Sequence, residues 1–361
     1  MRKGSHAGRR RPGWRRWVLG AGGVLAFFAL EGCYYMQAVR GHVDLMQRRR
    51  AVAEVLDDPA SPAELKARLE LVQEARRFSI EELGLPDNDS YRSYADLERD
   101  FVVWNVFATP EFSLQARQWC FPIAGCVAYR GYFSNDGALK QARKLADDGY
   151  DVAVAGVAAY STLGRFADPV LNTMLRWSDA DLVATLFHEL AHQKTYVSGD
   201  TRFNESFATA VAEIGIERWF AARGETDLLA RYRERKALRR EMLELVESRK
   251  IELAALYDSA LAEDLKRQRK ADVLDGLSAD VASLLAEAGA DAPGWLGGTL
   301  NNARLVSLGL YEGWLPAFRS LYAGCSERLS CFYREVAALA DLPDEERYAR
   351  LILLGANEPL S

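Results

Sequence analysis

The sequence predicts an α+β fold that is mostly helical, with a small antiparallel or mixed sheet beside a helix carrying His188 and His192, and long helices toward the C-terminus. Three observations predict it. Runs of β-branched and aromatic residues lie within positions 101–158. Capped segments with helical apolar spacing fill 36–84 and 178–223. Residues 226–291 mix charges at i,i+4 spacing, as the solvated faces of long helices do.

The first sixteen residues hold Arg2, Lys3, Arg9, Arg10, Arg11, Arg15 and Arg16 and no acid. Trp17 to Leu30 is then apolar or Gly, and Leu30-Glu31-Gly32-Cys33 follows. A basic region, a short apolar region and small residues predict a secretory signal over 1–32. The apolar run is shorter than the roughly 20 residues a bilayer span needs. Leu-x-Gly-Cys resembles the bacterial lipobox, which implies lipidation of Cys33. Tyr34 in place of Asp after it points, by analogy with bacterial sorting, to the outer membrane. An uncleaved signal anchor is the alternative. In both cases the body lies outside the cytoplasm, tethered to a membrane and facing the periplasm.

Met36, Val39, Val43 and Met46 recur at helical spacing, and Ser61-Pro62-Ala63-Glu64 reads as a capping box, so 36–84 is expected to be two helices ended by Gly84. Phe101–Phe107, Phe112–Phe121 and Val127–Phe133 are expected as a three-stranded antiparallel meander. Asn135 and Asp136 are expected to cap a helix over 138–148, and Asp151–Ala158 is a short apolar strand. It leads into Ala159-Tyr160-Ser161-Thr162-Leu163, with Phe166–Asn172 expected along the same side. Ser178 is the expected N-cap of the next helix, whose buried stripe is Leu182, Val183, Leu186, Leu190 and Ala191. A loop at Val197–Asp200 separates it from a helix over 201–223. Residues 226–291 read as a long helical hairpin, Pro293–Gly298 breaks the pattern, and 301–311 and 313–354 resume as helix.

The chain has 46 basic and 51 acidic side chains. Removing residues 1–32 takes away seven basic residues and Glu31, leaving 39 against 50, a net charge of −11. That balance excludes nucleic acid as a partner, because phosphate binding needs a basic face. Cys33 aside, four of the five cysteines remain. Local bridges Cys120–Cys126 and Cys325–Cys331 are the simplest of three connectivities; free thiols or a second metal site are the alternatives.

The chemistry concentrates in Phe187-His188-Glu189-Leu190-Ala191-His192-Gln193 and Phe203-Asn204-Glu205-Ser206-Phe207-Ala208. Two of the chain's four histidines stand four residues apart, on one helix face, where both imidazoles can reach one Zn²⁺. Glu189 stands beside them as a general base, and Glu205 offers a third ligand. Three protein ligands leave a fourth position open, the layout of a catalytic rather than a structural zinc. Thr209, one turn beyond Glu205, could hold a ligand from behind.

These two motifs resemble those of the gluzincin metallopeptidases, the group of thermolysin and aminopeptidase N. There the motifs read H-E-x-x-H-Q and N-E-G-F-A; here they read H-E-L-A-H-Q and N-E-S-F-A. Twelve residues separate His192 from Glu205, fewer than in those families. Glu213 fits the usual separation by counting but lacks the preceding Asn, so Glu205 is preferred and Glu213 is the fallback. A fuller match is to the predicted zinc aminopeptidases of Gram-negative bacteria. It adds Cys120-Phe121-Pro122-Ile123-Ala124-Gly125-Cys126, Ala159–Gly164 and Asn301-Asn302-Ala303-Arg304-Leu305. The resemblance implies a lipoprotein signal over 1–32, a helical segment over 33–90, a zincin-like core over 91–224, and a helical region over 225–361 completing the cleft. It implies peptide substrates, with Tyr160, Ser161 and Thr162 pairing with the substrate backbone and Asn301 and Asn302 in the site wall. Tyr311 is the candidate to steady the tetrahedral intermediate. Asp168 and Glu312 are candidate acids for a free α-ammonium group. The competing expectation is a non-catalytic zinc-binding or scaffold lipoprotein of the envelope.

Overall fold

A computed structural model describes residues 34–121, 125–294, 296, 298–309 and 313–356. Residues 1–47 and 48–361 group as two compact units. In the first, 34–47 is a helix, α1. The signal expected over 1–32 and the lipidation site expected at Cys33 lie outside the described residues.

The second unit opens with a strand where helix is expected. β1 (Arg49–Ala51) pairs antiparallel with β2 (Ser93–Ala95), and α2 (Val52–Asp57) and α3 (Ala63–Glu81) lie between them. Ser61 does not cap α3. Pro62 takes the cap position without a side-chain hydrogen bond. β2 also pairs in parallel with a later strand, β8 (Val170–Leu171), which makes this small sheet mixed.

The second sheet has β3 (Val103–Pro110) at its centre. β4 (Trp119–Phe121) and β5 (Gly125–Val127) form a separate two-stranded ribbon, and β6 (Arg130–Tyr132) pairs with β3. The expected meander is therefore corrected. Phe112–Phe121 leaves the sheet for the ribbon clipped by Cys120–Cys126, and the third strand is β7 (Tyr150–Val157). β7 wins that position because its apolar run matches β3 over the full length of both strands, from Val103↔Val157 to Pro110↔Tyr150. α4 (Asn135–Asp147) precedes β7, capped by Ser134, whose Oγ accepts the Gly137 N–H.

The helical part begins with α5 (Asp179–His192), which Ser178 caps as expected, Oγ accepting from Asp181 N–H. α6 (Thr201–Arg223) follows and ends at Gly224 in the left-handed region. α7 (Thr226–Asp258) and α8 (Glu263–Glu287) form the long hairpin. Their inner faces are not merely solvated: Val246, Leu253, Leu274, Leu277, Val281 and Leu285 build a core with Leu300 and Leu305. α9 (Asn302–Gly309), α10 (Leu315–Gly324), α11 (Leu329–Ala340) and α12 (Asp344–Gly355) complete the chain, with Cys325 bridged to Cys331 between α10 and α11. No helix among the described residues is long and apolar enough to cross a membrane.

Within the second unit, elements of 48–90, 91–224 and 225–361 pack together. β8 joins the sheet begun by β1, and α9 reaches back to β7, where Asn301 and Arg304 donate to the Val152 and Val154 carbonyls at 2.9 and 3.2 Å. At the start of α6, Asp200 accepts the Phe203 N–H at 3.0 Å through one oxygen and the Arg347 guanidinium of α12 at 3.0 Å through the other. Both partners are almost fully buried. Replacing Asp200 by Ala removes the cap and strands Arg347 in the interior. The expected cost is about 3–5 kcal/mol, read from urea unfolding, with a much smaller loss for an exposed pair such as Arg50–Asp58.

Candidate metal centre

α5 and α6 pack along each other, and the packing depends on Gly215. A Cβ there would fall 2.6 Å from the Phe187 ring and 2.8 Å from Leu83. Phe78 and Trp219 complete the aromatic cluster around Phe187. Phe187 immediately precedes His188, so burying it turns the next residues of α5 toward α6. His188 Nε2 then lies 3.1 Å from His192 Nε2 and 3.1 Å from Glu205 Oε2, and His192 Nε2 lies 3.7 Å from the same oxygen.

These are the separations a divalent ion requires. Zinc bonds of about 2.0–2.2 Å place tetrahedral ligand atoms roughly 3.3–3.5 Å apart. Among the described residues this is the one group of three that could hold a metal. Glu213, two turns further along α6, is spent elsewhere: Lys236 and Arg319 pair with it at 2.8 and 2.7 Å.

Electrostatics agree with a cation site. Burial alone would raise the Glu205 carboxyl, but hydrogen bonds and charge from His188 and His192 outweigh it and hold Glu205 well below the carboxylate range. Burial opposes the charged form of His192, and Glu205 more than compensates. Three lone-pair atoms at this spacing repel unless a proton or a cation lies among them. His192 Nδ1 is buried with no partner among the described residues, so packing sets its ring orientation.

Glu189 faces another group. Burial raises its carboxyl, with Glu205 adding to the effect, while His188, His192 and a hydrogen bond from Ser161 act against it. Ser161 and Thr162 do not belong to a strand, because β7 ends at Val157. They sit in a turn with Leu163 and Gly164 at positive φ. Tyr160 is half-buried with its ring 5.6 Å from Phe133, and its hydroxyl is pushed up to about 12, first by burial and then by Asp168. Asp168 is buried and offers no free carboxylate for an ammonium group, since Thr162 takes both oxygens.

Other expected site residues are placed differently. Asn302 is fully buried, and its side chain is used on Tyr257 and on the Glu111 and Ser113 carbonyls, so it fastens α9 instead of meeting a substrate. Asn301 donates to Val152 and accepts the Arg304 N–H as a cap. Thr209 is half-buried one turn beyond Glu205. Tyr311 and Glu312 lie outside the described residues.

Several contributors lie outside the motifs or have a role the motifs do not state. Asn204 bonds both the N–H and the C=O of Val197, at 2.8 and 2.7 Å, and so clamps the α5–α6 loop to α6. Gln193 accepts from Asn88 at 2.6 Å and donates to Ser90 at 3.3 Å, joining α5 to the loop before β2. Tyr91 is buried with its hydroxyl unpartnered among the described residues, and burial, Glu189 and Asp168 all raise it. No local signal links Tyr91 to the site from so far upstream. Tyr196 is half-buried, raised by burial and then by Glu205, and its place four residues after His192 was a usable hint. An open cavity of about 510 Å³ lined by Arg48, Arg50, Asp58, Tyr94, Asp96 and Glu98 shares no residue with the cluster.

A protein-family model described as "Putative aminopeptidase" matches residues 33–351. No curated protein and no solved structure matches the chain.

Burial raises Asp168 from 3.8 to about 6, against the two Thr162 hydrogen bonds. Folding therefore favours its protonated form. This contribution to stability is fully present below the ordinary value and is lost as pH rises through about 6. In the metal-free protein, the stability difference between wild type and Asp168→Asn should change by up to about 3 kcal/mol between pH 3.5 and 7, in favour of Asn at the higher pH. Denaturant unfolding across that range checks it, and a pH-independent difference would contradict it.

Proposed function

We propose that the chain, which belongs to the putative aminopeptidase family, hydrolyses peptide bonds with Zn²⁺ held by His188, His192 and Glu205 and with Glu189 as general base. The observation that carries this reading is the convergence of two imidazole nitrogens and one carboxylate oxygen at 3.1–3.7 Å, with a separate carboxylate beside them. When bound, zinc supplies a Lewis acid that acidifies water and polarises a carbonyl.

The protein's own groups do the rest. Glu189 takes the proton of the attacking water at its carboxylate and passes it to the leaving amine. Ser161 orients the carboxylate. Tyr311 keeps the role of steadying the oxyanion, and the main chain near Tyr160–Thr162 is assigned to the substrate backbone. The aminopeptidase preference follows the family alone, because Asp168 is committed to Thr162.

We further propose that residues 1–32 are a signal, that Cys33 carries a lipid, and that the body faces the periplasm from the membrane. The bridges Cys120–Cys126 and Cys325–Cys331 support an oxidising compartment. A scaffold or zinc-storage lipoprotein would need the three ligands but not Glu189.

Zinc-loaded Glu189→Gln should keep its metal and lose about 10²–10⁴-fold in turnover of a peptide library. Retained turnover at full metal content would remove the mechanism. A chelator should abolish cleavage, and added zinc should restore it. Paired substrates with free and acetylated N-termini test the family's preference: an aminopeptidase cleaves only the free series, while equal cleavage of both marks an endopeptidase.

A further inference from the structure

Asp168 is an acid with 1% exposure and no hydrogen bond or ion pair from a basic side chain among the described residues, a costly placement that demands a reason. Its carboxylate closes a turn. One oxygen accepts the Thr162 hydroxyl at 2.8 Å and the other accepts the Thr162 N–H at 2.9 Å. Thr162 Oγ1 also accepts the Phe166 N–H at 3.0 Å. Leu163 and Gly164 complete the reversal at φ +57 and +74. The turn is pinned from outside as well: the Asp168 carbonyl accepts the Tyr91 N–H at 2.6 Å, and Arg49 donates to the Ala167 carbonyl at 3.0 Å.

The closed turn rests on α5 at two points one helical turn apart. At the first, the Ser161 hydroxyl lies beside the Glu189 carboxylate and favours its charged form. At the second, Gly164 abuts Gln193, where a Cβ would stand 3.3 Å from the side-chain oxygen. The Ser161 hydroxyl accepts the Leu163 N–H at 3.2 Å, which occupies a lone pair and leaves its proton for the Glu189 carboxylate. The turn therefore holds the Ser161 oxygen in place beside that carboxylate.

We infer that Asp168 is a positioning residue: by closing the 162–168 turn it holds the Ser161 hydroxyl against the Glu189 carboxylate and presents the base in one orientation. The inference rests on the role proposed for Glu189. An acceptor-only side chain suits the position because Thr162 brings two donors to it. The burial of this acid, offset by Thr162 and by the charge of Arg49, is then the cost of a rigid turn.

A double-mutant cycle on the zinc-loaded full chain tests this. Ser161→Ala and Asp168→Ala should each lower kcat about 10–100-fold, with KM and metal content within about twofold of wild type. The double variant should be no worse than either single one. Asp168→Asn, which keeps an acceptor for the Thr162 N–H, should recover most of the loss. Independently of activity, hydrogen exchange over residues 159–168 in the metal-free protein should rise in Asp168→Ala and stay unchanged in Ser161→Ala. If Asp168→Ala does not fold, Thr162→Val removes the hydroxyl bond and carries both readouts. Multiplying losses in the double variant, or unchanged exchange in Asp168→Ala, would overturn the inference. A wild-type protein that cleaves no peptide would instead remove the role of Glu189, and the exchange result would still decide whether Asp168 fastens the turn.

Discussion

The absence of a side chain at Gly215 is what the rest of the site depends on. It lets α6 approach α5 until Phe187 and Leu83 fill the space a Cβ would need. Interior packing leaves little slack, so this contact sets the rotation of α5 as well as its distance. His188 and His192 project on the face turned to α6, and Glu205 meets them one loop later. The clamp by Asn204 and the cap by Asp200 hold the ends of that loop, and Arg347 ties the cap to the last helix. Most of these contacts act to keep three atoms within a few tenths of an ångström of where an ion would need them.

Buried charge divides the acids of this protein by purpose. Glu213, Asp200 and Asp151 are each answered by cationic side chains, Lys236 with Arg319, Arg347 and Lys270 respectively. Such pairs satisfy the charge and leave nothing for a ligand. Among the described residues Glu205 is answered by two imidazoles, which are neutral donors to a metal as readily as partners to a carboxylate. Glu189 is answered by the two imidazoles and then by the Ser161 hydroxyl, and Asp168 by the Thr162 N–H and hydroxyl. Carboxylates left without a strong base keep a raised proton affinity. That is useful in a group that must exchange protons and costly in one that must not, so the positioning role for Asp168 needs the rigid turn to offset its burial.

Much of the helical frame was legible locally. Ser178, the apolar stripe of α5, the break at 197–200 and the long hairpin all follow from caps, periodicity and charge spacing, and they appear with small shifts at their ends. The sheet was less legible. Short runs such as Arg49–Ala51 and Val170–Leu171 become strands only because a partner lies beside them, and β7 displaces Phe112–Phe121 from β3 by pairing over a longer ladder. Asn302 shows the same limit among side chains. A polar residue with apolar neighbours reads equally as a site wall or as a buried hub, and only its partners Tyr257, Glu111 and Ser113 decide.

By itself the sequence determined which residues could hold a metal and which could move a proton. A four-residue spacing on a helix is a local geometric fact, and the chemistry of His and Glu does not depend on the fold. The sequence preferred Glu205 to Glu213, and the tertiary structure brings Glu205 to the two imidazoles and pairs Glu213 with Lys236 and Arg319. Glu205 and Glu213 share a helix and a side-chain type, and differ in what the rest of the chain packs against them. It also decided that Asp168 serves a turn, because burial and partners are set by contacts between residues far apart in sequence.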